Sequence, residues 1–97
     1  MAAPEALRAE DVEARVSGLS DWTLDEGTLY REVRCRDFVD AFGLMARIAL
    51  VAESMDHHPD WSNSWNTVRI RLTTHSAGGL TELDFTLAQK INELVQG

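Results

Sequence analysis

Glu53-Ser54-Met55-Asp56-His57-His58-Pro59-Asp60-Trp61 concentrates the chemistry of the chain and marks the join between a helix and a strand. Pro59 disfavours the helical region for the residue before it, so the helix entering this stretch is expected to stop near His57. Upstream, Phe38, Ala41, Phe42, Met45, Ala49 and Ala52 recur at i, i+3 and i+4 spacing, which predicts a helix over 38–55. Leu44, Ile48, Val51 and Met55 make a second apolar strip, leaving a narrow polar line of Asp40, Arg47 and Ser54. One sheet face does not cover a helix this apolar, so the second strip is expected to be an oligomer interface.

Downstream, Trp61–Ser64 reads as a short strand, Trp65-Asn66 as a turn, and Thr67–Thr73 as a strictly alternating strand. Val68, Ile70 and Leu72 are expected to face the core, and Thr67, Arg69, Arg71 and Thr73 to face outward. Ser76–Gly79 reads as a flexible loop. Thr81-Glu82-Leu83-Asp84 then matches a capping box, opening a last helix over about 82–95 with Leu83, Leu87, Ile91 and Leu94 on one face. Toward the N-terminus, Trp22–Leu24 and Leu29–Cys35 form a hairpin through Asp25-Glu26-Gly27, with Arg31 interrupting an otherwise apolar face. Arg8–Val16 makes a short first helix with Val12, Val16 and Leu19 as its stripe, and Met1–Leu7 is expected to fray. The order α-β-β-α-β-β-α indicates an α+β fold: one domain over 1–97, a four-stranded antiparallel sheet with three helices on one face.

The 97 residues are 44% hydrophobic and 26% charged, as in an ordinary globular domain. A formal net charge of -7 repels phosphate backbones and argues against direct nucleic-acid binding. The single cysteine, Cys35, cannot form an internal disulfide, which fits a reducing compartment. No basic leader with an apolar stretch opens the chain, and no run approaches the roughly 18 apolar residues of a membrane span. A cytoplasmic protein is expected, with a nuclear share allowed.

His57, His58 and His75 are all the histidines of the chain. Imidazole titrates nearest neutrality among side chains, so clustered histidines suit proton transfer. Glu53 precedes His57 by four residues, where a continuous helix would put its carboxylate beside the ring. His58 can diverge from His57 at the helix end, and His75 returns to the same end of the sheet if its strand neighbours the Trp61 segment. A zinc site from these histidines with Glu53 or Asp56 is disfavoured, because the chain has no HxxxH or HxH spacing. Cys35 reads as inert packing and Asp84 as a capping residue first. Trp22, Trp61 and Trp65 are core or interface anchors, or a stacking wall.

The segments Asp56-His57-His58-Pro59-Asp60-Trp61, Asn63-Ser64-Trp65-Asn66-Thr67-Val68, Leu72-Thr73-Thr74-His75 and Gly79-Leu80-Thr81 with Asp84 resemble those of pterin-4a-carbinolamine dehydratases. The resemblance runs from about Trp22 to the C-terminus. It implies dehydration of 4a-hydroxytetrahydropterin, released by aromatic amino-acid hydroxylases, to quinonoid dihydropterin in tetrahydrobiopterin recycling, with no metal or organic cofactor. It implies that His57, His58 and His75 are catalytic and pterin-binding. Glu53, Asp56, Trp61, Thr73, Thr74, Ser76 and Asp84 would be substrate-binding, with Trp22 or Trp61 as an aromatic wall. His57 and His75 are the expected acid–base pair and His58 the orienting residue, with acid and base left open. Leu83 departs from the Arg that some members carry before the Asp of the last helix, and Ser64-Trp65 from an aliphatic residue and a tyrosine. The resemblance also implies a homodimer or homotetramer. A non-catalytic alternative is a dimerisation cofactor of a transcription factor, binding its partner through helix 38–55. Some relatives are associated with molybdopterin metabolism.

Overall fold

The computed structural model describes residues 4–96, and its elements follow the expected order. They are α1 (Ala9–Ser17), β1 (Thr23–Asp25), β2 (Thr28–Arg34), α2 (Phe38–Ser54), β3 (Asp60–Ser64), β4 (Thr67–Leu72) and α3 (Glu82–Gln96). The four strands form one antiparallel sheet in the order β1-β2-β4-β3. Glu26 and Gly27 both take positive φ, the backbone of a tight two-residue hairpin turn, which fixes the β1–β2 register. Leu29, Val33, Val68, Ile70 and Leu72 of the sheet pack against Ala41, Leu44, Ile48 and Ala52 of α2 and Leu87, Ala88 and Ile91 of α3. Among the described residues no helix is long and apolar enough to cross a membrane.

Helix α2 starts at an extended Asp37 whose carboxylate accepts from the Asp40 amide at 2.8 Å, while Asp40 accepts from the Arg36 amide at 3.2 Å. The free side of this helix differs from the sequence expectation. Leu44 and Ile48 are buried in the core and Val51 and Met55 pack on it, so the second strip is not the free surface. The exposed apolar residues are Phe38, Val39, Phe42 and Leu50. The sheet takes the strip with the longer aliphatic side chains, with Ala41 and Ala52 allowing close approach on its flank.

The helix also ends for another reason than Pro59. Asp56 adopts left-handed backbone at φ 51, its amide donates to Glu53 O at 3.1 Å, and the His57 amide donates to Ala52 O at 3.0 Å. This is the paired bonding of a Schellman motif with Asp in the usual glycine place, and it finishes the helix before Pro59 acts.

Smaller corrections follow from local bonding. Thr67 is buried rather than outward, its hydroxyl donating to Asn66 Oδ1 at 3.1 Å. The segment after β4 is not a loose loop: His75–Ala77 make a 3₁₀ turn closed by Gly78 at φ 74, with Thr74 bridged to Gly79. Within the stretch expected to fray, Leu7 donates its amide to Leu80 O at 2.8 Å and packs on the core; residues 1–3 lie outside the described residues. Arg31 interrupts the apolar face of β2 because it pairs under the helices with Asn92 of α3. Trp22 Nε1 donates to the same Asn92 oxygen at 2.7 Å, and the Asn92 amide donates to Ser20 O at 3.0 Å.

Candidate active site

The left-handed turn at Asp56 aims His57 under the start of α3 and leaves His58 outside. His57 is buried, and its Nε2 lies 2.6 Å from Oδ1 of Asp84. Asp84 is wholly buried and its other oxygen accepts from Thr74 Oγ1 at 2.7 Å and from the Thr81 amide at 2.9 Å. Thr81 Oγ1 accepts from the Leu83 amide at 3.2 Å and lies 2.8 Å from Thr74 Oγ1. With the Thr74 hydrogen committed to Asp84, Thr81 must donate to Thr74, so the chain of protons has one direction. A buried carboxylate needs such a set of donors to offset its lost hydration. With Thr74 and the Thr81 amide both donating to the other oxygen, Nε2 is the His57 nitrogen that Asp84 engages and Nδ1 the one it does not.

The capping box is present, as expected, and the same Asp84 that caps α3 also holds the histidine. That second task was invisible in the sequence, because the cap already explained the residue. Glu53 does not meet His57; its Oε1 lies 2.8 Å from Nε2 of His58, since the break at Asp56 ends the i, i+4 relation. His75, in the 3₁₀ turn after β4, lies 3.2 Å from Oδ2 of Asp60 at the start of β3. Asp60 was missed as a functional residue. Its signal was the pairing of the β3 start with the β4 end, with Asp60 opposite Arg71 four residues before His75.

Thus each histidine has its own carboxylate and all are held through Nε2. The His57 side chain is only 9% exposed against 58% and 80% for His58 and His75, so only the first pair is fixed by burial.

One cleft of about 370 Å³ is bordered by His57, His58 and His75 together with Asp56, Asp60, Thr73, Thr74 and Ser76. Asp84 lies behind His57, and Glu53 reaches the rim only through His58. The tryptophans stand elsewhere: Trp22 is buried on Asn92, Trp65 is exposed in the β3–β4 turn, and Trp61 packs on the core opposite Ile70. Among the described residues no set of three or more His, Cys, Asp and Glu converges as a metal-holding group. Burial raises the Cys35 thiol above its ordinary value, the state of a packed rather than reactive cysteine.

Chemically, fold and site define a small α+β domain with three carboxylate-held imidazoles facing one open cleft, a set suited to moving protons. Residues 5–94 match the family model for pterin 4 alpha carbinolamine dehydratase. Relatives named "Putative pterin-4-alpha-carbinolamine dehydratase" include one from Prochlorococcus marinus (strain MIT 9313), 50% identical over 94% of this chain and 95% of its own length. Another, from Chelativorans sp. (strain BNC1), is 48% identical over 93% of this chain and 94% of its own. A crystal structure from Brucella melitensis, described as a transcriptional coactivator/pterin dehydratase, superposes with a TM-score of 0.90 at 38% identity, covering 94% of this chain and 99% of that one. The chain belongs to the pterin-4a-carbinolamine dehydratase family, whose enzymes are hydro-lyases.

Proposed function

We propose that this protein dehydrates 4a-hydroxytetrahydropterin to quinonoid dihydropterin by histidine acid–base catalysis, serving tetrahydrobiopterin recycling. The C4a–O bond breaks as a proton reaches the departing hydroxyl, and water leaves. A ring nitrogen gives up its proton and its electron pair completes the new C=N bond, so no oxidant or reductant is needed. His57 and His75 act as the acid–base pair and His58 orients the ring, with Asp56, Thr73, Thr74 and Ser76 offering polar contacts along the cleft.

The observation that carries this reading is the buried Asp84–His57 pair opening on a cleft that also holds the other two histidines. The test is the decay of freshly generated 4a-hydroxytetrahydropterin, followed by absorbance. Acceleration over buffer by the folded protein is expected, and its absence would overturn the activity.

The exposed Phe38, Val39, Phe42 and Leu50 of α2 support a second element of the proposal, that a further copy of the chain covers this face in a homo-oligomer. The coactivator description of the Brucella structure supports the same face receiving another protein in place of a copy.

A further inference from the structure

Thr81 is wholly buried just before α3 and does not border the histidine cleft, yet it reaches the Asp84 carboxylate twice. Its amide donates directly to Asp84 Oδ2 at 2.9 Å. Its hydroxyl lies 2.8 Å from Thr74 Oγ1, which donates to the same carboxylate oxygen at 2.7 Å. The amide contact is open to any residue at the head of a capping box, whereas the hydroxyl contact depends on the side chain. Capping uses only the Thr81 oxygen, which accepts from the Leu83 amide at 3.2 Å. The hydroxyl hydrogen is left over, burial keeps water from it, and Thr74 Oγ1 is the acceptor beside it. Backbone bonds hold this arrangement from both sides: the Thr74 amide donates to Gly79 O at 3.3 Å, and the Leu7 amide to Leu80 O at 2.8 Å.

We propose that Thr81 is a positioning residue, its hydroxyl acting through Thr74 and Asp84 to hold the imidazole of His57 for acid–base work, an inference whose kinetic consequence rests on the dehydratase reading above. From the Leu83 amide the donors run to Thr81 Oγ1, then to Thr74 Oγ1, then to Asp84 Oδ2. The other Asp84 oxygen meets His57 Nε2 at 2.6 Å. A hydroxyl that accepts a hydrogen bond donates a stronger one, so each link reinforces the next. Without the Thr81 hydroxyl, the Thr74 oxygen loses the donor that fixes it, and its own bond to Asp84 weakens. The carboxylate then holds the His57 ring less firmly. His58 and His75 meet Glu53 and Asp60 at the surface, away from this path, so the effect is confined to His57.

Thr81→Val keeps the amide and the branched shape and deletes only the hydroxyl, while Thr81→Ser retains it. Thr81→Ala is a second deletion in case valine does not fold, which thermal melts decide. In the dehydration assay Thr81→Val is expected to lose about three- to tenfold in kcat with KM unchanged, and Thr81→Ser to stay within about twofold of wild type. In a Thr74→Val background the same deletion should cost less than about twofold more, because the path through Thr74 is already cut. In the free protein carrying nitrogen-15 histidine, the His57 ring resonances should move in Thr81→Val and return in Thr81→Ser, with those of His58 and His75 in place. A capping or packing role alone would lower the melting temperature and leave kcat and the ring resonances where they are. A folded deletion variant with wild-type kcat, unmoved His57 resonances, or a full further loss in the Thr74→Val background overturns the inference while leaving the pterin site standing. A wild type that does not accelerate dehydration takes down the dehydratase reading, and the ring resonances alone then decide this inference.

Discussion

At the residue scale, the carboxylate of Asp84 engages Nε2 of His57 and fixes the ring against the start of α3. Asp84→Asn keeps the side chain's size but puts an NH₂ group against one of three donors: His57, Thr74 or Thr81. The dehydration rate is expected to fall about 10²-fold or more, and chemical denaturation to show a loss of about 1–3 kcal/mol from the unsatisfied buried donor. Asp60→Ala should behave differently. The Asp60–His75 pair is exposed, so stability should change by less than about 0.5 kcal/mol, while the rate assay should register His75 losing its orientation. The three histidines were legible from their clustering, whereas Thr73, Thr74, Ser76 and the pocket role of Asp56 came only through the family resemblance. The carboxylate partners of the histidines were not legible, because Glu53 was assigned on the assumption of an unbroken helix and the left-handed Asp56 falsifies that assumption. Asp in a position that favours glycine leaves no pattern in the surrounding residues.

At the scale of elements, α2 and the α1–α3 contact carry separate predictions. Phe42→Glu and Leu50→Glu alter exposed positions, so the protein should stay folded, and light scattering should register a smaller assembly than wild type. Wild type and both variants sharing one monomeric mass would remove the self-association proposal. The sequence showed two apolar strips on α2 but not which one the sheet would take, because periodicity counts apolar positions without weighing the fit of each side chain.

Arg15 of α1 holds Glu82 of α3 in a two-oxygen pair, which lowers the Glu82 carboxyl below its ordinary value. A carboxyl depressed in the folded state stabilises above the ordinary carboxylate range, and that contribution disappears as pH falls through the lower, folded value. Melting of wild type and Glu82→Gln should therefore differ slightly at neutral pH and converge in acid. The pair is solvent-exposed, so the neutral-pH difference should shrink in high salt.

At the scale of the whole molecule, the alternation of helical and strand periods was enough for the order of elements and the α+β class, since each segment was long and consistently patterned. The strand order β1-β2-β4-β3 depends on the long-range β2–β4 pairing, to which local periodicity is blind, whereas the β3–β4 hairpin is what brings His75, just past β4, beside Asp60. The fold thus assembles the cleft from the segments after α2 and β4 and the start of β3, with Asp84 of α3 behind His57, so the chemistry should be sensitive to the histidines rather than to the bulk of the sheet.

The most direct test of histidine catalysis is the dehydration rate of freshly generated 4a-hydroxytetrahydropterin with His57→Ala, measured with and without added imidazole. The account predicts a loss of about 10²-fold or more, partly restored by imidazole in the vacated space. A folded His57→Ala protein that works at the wild-type rate would contradict it.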